Sequence, residues 1–155
     1  MSTLRLIRLD PEDSDWLFHT AISHFQELVP EGPGPPRAEI DHWMTDTDLV
    51  PLKIDCDGAR VGFALVERMD GFHELCEFRI SPTHRGAGLG GRAAIDCFAL
   101  FPGRWSLGVA SALPGTARFW DRLLLSTGSV TQLERGPVLT PYQSHSYTFT
   151  FTGAP

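Results

Sequence analysis

A chain of 155 residues, 42% hydrophobic and 21% charged, has the composition of an ordinary globular domain. At this length a single domain is expected, burying about two-thirds of its unfolded surface. The formal net charge of −6 argues against nonspecific nucleic-acid binding, which needs a basic stripe, and mildly favours a cationic substrate. No apolar run approaches the ~20 residues of a membrane span. Asp10, Glu12, Asp13 and Asp15 interrupt any signal-peptide pattern near the start, so a cytoplasmic protein with no membrane partner is expected. Cys56, Cys76 and Cys97 are odd in number and widely spaced, which predicts buried reduced thiols with neither a disulfide framework nor a zinc site.

Taken in chain order, Leu4 to Leu9 alternates apolar and basic residues as a first strand would. Pro11-Glu12-Asp13-Ser14 opens a helix whose apolar side carries Trp16, Leu17, Ala21, Phe25 and Leu28. Gly32-Pro33-Gly34-Pro35-Pro36 cannot continue it and predicts a stiff loop, followed by a short helix from Arg37 to Met44. Strands are predicted from Leu52 to Asp55 and from Val61 to Met69, joined at Asp57-Gly58, a hairpin signal. Asp70-Gly71 turns the chain into a third strand of this set, His73 to Ile80. A helix from Gly90 to Phe101, a strand from Trp105 to Val109 and a helix opening at Pro114 follow. The helix carries Ala117, Trp120, Leu123 and Leu124 on one side. The clean alternation of Tyr147 to Thr152 predicts a last strand with its aromatic face buried.

Between strand and helix lies the most informative stretch, Arg85-Gly86-Ala87-Gly88-Leu89-Gly90-Gly91. A strand, a glycine turn and a helix start present unpaired backbone N–H groups to a phosphate at the positive end of the helix. A Cβ at the glycines would block that approach. Gly86, Gly88 and Gly91 satisfy the dinucleotide pattern G-x-G-x-x-G. That pattern belongs after the first strand of a βαβ unit, answered by an acid about 20 residues later. Here the loop lies past the middle of the chain, and Val109, Ala110 and Ser111 supply no acid.

Arg85, Gly88 and Gly90 also spell Arg-x-x-Gly-x-Gly. This resembles the acetyl-CoA pyrophosphate loop of the GNAT superfamily of N-acetyltransferases, and the order of elements resembles the GNAT fold along nearly the whole chain. Glu77-Phe78-Arg79-Ile80, His84-Arg85, Arg104-Trp105-Ser106-Leu107 and Arg118-Phe119-Trp120-Asp121 are similar to motifs of a small bacterial subgroup. The resemblance implies an α/β (α+β) fold, with a mixed sheet of six to seven strands, a splayed central pair and about four flanking helices.

It also implies acetyl-CoA as cosubstrate. Pantetheine would pair along Phe78, Arg79 and Ile80, and the pyrophosphate would lie on the amides of Gly86, Ala87, Gly88, Leu89, Gly90 and Gly91, with Arg85 opening the loop. The Ile80 N–H would stabilise the developing oxyanion. Direct transfer to an amine needs a base for the ammonium proton. Glu74 matches the base position of the histone acetyltransferase branch and Glu77 the acid of the closer subgroup. Strand periodicity puts Glu74 on the face of Cys76, Phe78 and Ile80, with Glu77 opposite, and favours Glu74 slightly. The family's glutamate, asparagine and general-acid tyrosine fall here on Ser106, Leu113 and Trp120, and an indole N–H is no proton donor.

His42 and Trp43 lie where GNAT substrate grooves are walled. The six histidines show no metal spacing, and no hydrolase, NTPase or zinc-protease motif occurs. Two classes follow: an acetyl-CoA-dependent N-acetyltransferase acting on a small-molecule or peptide amine without a metal, and a catalytically silent CoA-binding sensor or partner module. A homodimer would fit, as GNAT relatives are often dimers.

Overall fold

The computed structural model describes residues 2–153. Its strands are β1 (Leu4–Arg8), β2 (Leu49–Cys56), β3 (Ala59–Met69), β4 (Phe72–Ile80), β5 (Gly103–Ala110), β6 (Val130–Gly136) and β7 (Gln143–Phe151). Its helices are α1 (Ser14–Leu28), α2 (Arg37–Thr45), α3 (Leu89–Leu100) and α4 (Pro114–Ser126). The strands form one mixed sheet in the order β1-β2-β3-β4-β5-β7-β6. Only the β4–β5 pair is parallel, and every other neighbour runs antiparallel.

Each face of the sheet is covered by a helical layer, because both faces of the central strands carry apolar residues. On one side Leu17, Ala21, Ile40 and Trp43 from α1 and α2 close over Leu49, Phe63 and Leu65. On the other, Ala94, Cys97 and Phe98 of α3 and Trp120 and Leu124 of α4 bury Ala64, Val66, Leu75, Leu107 and Phe149. The predicted hairpin at Asp57-Gly58 has both residues at positive φ, 52° and 86°, the turn whose twist matches its strands. α1 starts from a short 3-10 turn at Pro11–Asp13 rather than directly at the proline, held by a reciprocal capping box between Asp10 and Asp13.

Three departures from the sequence reading have physical causes. β6 carries no clear strand signal in the sequence, since it is an exposed edge strand whose apolar residues Val130 and Leu133 are three apart. A register shift between Thr131 and Glu134, with Gln132 at φ 52°, accommodates that spacing. Of the cysteines, Cys97 is buried, whereas Cys56 and Cys76 are only partly so.

The third departure matters most. β3 pairs Leu65 with Glu77 but Val66 with Leu75, so Cys76 is an extra, bulged residue. The bulge resets the alternation. Glu74, opposite Glu67, and Glu77, opposite Leu65, therefore share the face covered by α1 and α2, while Phe78 and Ile80 face α3 and α4. Simple periodicity places Glu74 with Phe78 and Ile80, and the bulge corrects that placement.

Candidate active site at the splayed strands

β4 and β5 pair at only three positions, His73 with Trp105, Glu74 with Ser106 and Leu75 with Leu107, and then part. Beyond Leu75 the edge of β4 toward β5 has no strand partner. The Ser81 N–H donates to the Val61 carbonyl at 2.7 Å, so residue 81, and by alternation 79, turn their backbone groups toward β3. Those of Phe78 and Ile80 turn outward into the gap. A cavity of about 930 Å³ fills the gap, bounded by α1, the glycine loop and α4.

At one end of this cavity stands the N-terminus of α3. Gly88 is its N-cap at φ 78° and gives it no side-chain cap. The amides of Leu89, Gly90 and Gly91 belong to the first helical turn, which has no intrahelical acceptor. Gly86 and Gly88, both at positive φ, have open space where a Cβ would stand. A Cβ on Gly90 would instead come 3.2 Å from Phe119 and one on Gly91 3.4 Å from Leu123. The first two glycines thus keep a cradle open, and the last two let α3 sit close to α4. Ala87 and Leu89 lie in the same turn, Leu89 with its side chain buried.

Arg85 does not extend freely into the cleft. Its Nε donates to the Ile80 carbonyl at 2.7 Å, and its two terminal nitrogens donate to Glu27 at 3.0 and 2.9 Å. Arg79, almost wholly buried, also donates to Glu27. The Arg85 hydrogen bonds hold the Glu27 carboxyl down at about 2 against the upward push of burial, with Arg79 adding to the effect. The sequence alone does not single out Glu27. Two arginines on one carboxylate leave net positive charge at this end of the cavity.

The other end is acidic. Glu77 accepts a hydrogen bond from His24 of α1, Nε2 to Oε1 2.8 Å, and the imidazole is buried edge-on between Phe25 and Phe63. His24 lies at helical spacing behind Leu17 and Ala21, and that place on the buried stripe is the one signal of it in the sequence. Glu74, Glu67 and Cys76 bring their polar atoms within 4.8 Å of one another. Burial, and then the like charges of Glu67 and Glu77, raise the Glu74 carboxyl above its ordinary value. Burial and the neighbouring carboxylates push the Cys76 thiol up.

Past Cys76 and Glu77 a second cavity of about 520 Å³ opens between the α1–α2 loop and β3. His42 and Trp43 both line it. Trp43 donates its indole N–H to Glu39 at 3.1 Å and lies over Phe63. The His42 imidazole is 3.5 Å from Asp46 and largely exposed. Tyr142, on the segment entering β7, borders both cavities. Of the positions where the family's other catalytic residues would fall, Ser106 is buried in the sheet, while Leu113 and Trp120 line the first cavity.

No protein-family model and no curated protein sequence matches this chain. Solved structures do. An acetyltransferase from Thermus thermophilus superposes with a TM-score of 0.70 at 19% identity, covering 94% of this chain and 96% of that one. The spermidine N-acetyltransferase from Vibrio cholerae in complex with CoA and spermine gives 0.67 at 15%, covering 96% and 95%. The aminoglycoside acetyltransferase AAC(6')-Ib in complex with coenzyme A and kanamycin gives 0.69 at 17%, also covering 96% and 95%. The fold is therefore that of the GNAT acetyltransferases, mixed seven-stranded sheet and splayed strands included.

Proposed function

We propose that this chain is an N-acetyltransferase that moves the acetyl group of acetyl-CoA directly to an amine. The observation that carries the reading is the conjunction, in one cavity, of the free edge of β4 with the uncapped N-terminus of α3. An elongated ligand with an amide-bearing arm and a pyrophosphate fits that pair of features. The arm would pair along Phe78 and Ile80, and the pyrophosphate would lie on the amides from Gly86 to Gly91. The open space at Gly86 and Gly88 is what such a cradle requires. Bound there, acetyl-CoA supplies an activated thioester.

The residues at the acidic end handle the proton. An amine arrives as an ammonium ion and must lose a proton before its lone pair can attack. Glu77 borders both cavities and takes that proton, while the His24 N–H holds its carboxylate in one orientation. Glu74, on the same face and with its affinity for protons raised, is the second candidate for the role. The neutral amine nitrogen then bonds to the acetyl carbon as the carbon–sulfur bond breaks, and the nitrogen, now carrying one proton too many for an amide, gives it up to solvent. The Ile80 N–H, free in the gap, stabilises the negative charge that develops on the acetyl oxygen. Sulfur leaves with the electron pair as a thiolate and takes a proton from solvent, because Trp120 occupies the place of a donor and cannot give one. Acetylated amine and CoA are the products.

Calorimetric titration with CoA, followed by assay of CoA release from acetyl-CoA with a panel of amines, tests this reading. Binding together with amine-dependent release supports it. Binding without release on any amine would favour the catalytically silent module instead.

A further inference from the structure

The second cavity differs from the first in the sign of its walls. The first carries Arg79 and Arg85 against the single carboxylate of Glu27 at its cofactor end. In the second, Phe25, Trp43 and Leu65 supply the apolar surface, and the charged groups are Glu39, Glu67 and Glu77. No lysine or arginine is among its described lining residues, and its one histidine, His42, sits beside Asp46 rather than a wall carboxylate. The carboxylates are engaged in different ways. Glu39 accepts the Trp43 indole N–H and Glu77 accepts from His24, whereas Glu67, among the described residues, meets only the Cys76 thiol, 3.8 Å away.

Such a wall selects by charge in two directions. It attracts a cationic head group, and a carboxylate or phosphate on the same ligand would be buried against Glu67 and Glu77 with no cation to meet it. Repulsion of that kind is how a site rejects near neighbours of its ligand. The stiff Gly32–Pro36 segment, which forms the rim, limits how far the cavity can adapt. The aromatic and aliphatic surface adds a place for an apolar body.

From this we infer that the second cavity is the acceptor site and that it takes a primary amine on an apolar alkyl or aryl body, free of any carboxylate or phosphate. Its acceptor is an amine such as a decarboxylated amino acid would be, and the amino acid itself is refused. The inference rests on the acetyltransferase reading and adds to it the class of acceptor and Glu67 as the residue that sets it. The acetyl transfer is the one described above: the ammonium gives one proton to the acidic wall, the nitrogen gains the acetyl group and sheds a second proton to solvent, and CoA departs as a thiolate that solvent protonates.

Matched pairs test it. With saturating acetyl-CoA, CoA release is followed for phenethylamine against phenylalanine and for cadaverine against lysine, and binding of the same four compounds is measured calorimetrically in the presence of CoA. The amine of each pair should be favoured by ~100-fold or more in kcat/KM, the scale of a like-charge clash in a desolvated site. In Glu67→Gln that ratio should fall by ~10-fold, mainly through KM, while the calorimetric affinity for CoA alone is retained. Equal use of amine and amino acid, or an unchanged ratio in Glu67→Gln, overturns the inference with the acetyltransferase reading intact. If the amines bind and the amino acids do not but CoA is released with none of the four, the selection by charge stands and the use of the cavity as an acceptor site is overturned. If neither amines nor amino acids bind, the inference falls.

Discussion

His24 on α1 and Glu77 on β4, 53 residues apart in sequence, meet through a 2.8 Å hydrogen bond at the junction of the two cavities. In that pair the His24 Nε2–H donates and the Glu77 carboxylate accepts. The bond takes up Oε1 of the carboxylate, and Glu77 lines both cavities. The contact is built by the buried stripe of α1, and the bulge at Cys76 sets the face from which Glu77 meets it.

Glu77→Gln should lower kcat/KM by ~10²-fold or more at neutral pH, the usual scale of general-base catalysis. Affinity for acetyl-CoA should barely change, because the cofactor contacts are assigned to backbone. The defect should shrink at high pH, where more amine arrives deprotonated. Glu74→Gln is the matched variant, and a large loss there with Glu77→Gln near wild type would move the role to Glu74.

His24→Ala should cost ~10-fold in kcat with little change in the KM for acetyl-CoA, and His24→Asn, which retains a donor, should recover part of the loss. A pH–rate profile of His24→Ala displaced along the pH axis marks an effect on Glu77. An unchanged profile with a lowered melting temperature would mark His24 as a packing residue only.

Much of the fold was legible because its signals are local. The Asp57-Gly58 turn, the Gly-Pro-rich break after α1, the glycine loop before α3 and the alternation ending at Phe151 each fix an element from a few adjacent residues. What escaped depends on partners. The bulge at Cys76 exists only in the pairing of β4 with β3, so the faces of Glu74 and Glu77 were not readable from β4 alone. Glu27 and His24 acquire their meaning from Arg85, Arg79 and Glu77, more than 50 residues downstream. β6 lacks a period of two because its own register is broken. His42 and Trp43 could be placed from the fold resemblance, but the charge of the cavity they line needed Glu67 and Glu77 brought beside them.

The Glu27 cluster ties the geometry of the segment that opens the glycine loop to acid stability. Its carboxyl is held at about 2, well under the ordinary 4.5, so its ion pairs contribute stability that is present above pH 4.5 and lost as pH falls through about 2. Glu27→Gln should therefore melt at a lower temperature than wild type at pH 7, with the difference closing between pH 4.5 and 2. Thermal denaturation across that range checks it. A gap that does not vary with pH would deny the ion pairs this role.

Gly88→Asn should weaken CoA binding by ~10-fold or more while lowering the melting temperature only modestly. Asparagine tolerates the left-handed conformation that Gly88 adopts at φ 78°, and its side chain would enter space that the loop otherwise keeps open. Calorimetry with CoA, beside a melting curve of the free protein, separates the two effects.

The central claim is best tested by incubating the protein with acetyl-CoA and phenethylamine and following both products by mass spectrometry. The account predicts acetylated amine and CoA accumulating in equal amounts over many turnovers, and predicts that CoA, unlike NAD, raises the melting temperature, since a ligand of the native state stabilises it. CoA binding with no acetylated amine from this or any amine of a broad panel would contradict it, as would a thermal shift with NAD equal to that with CoA.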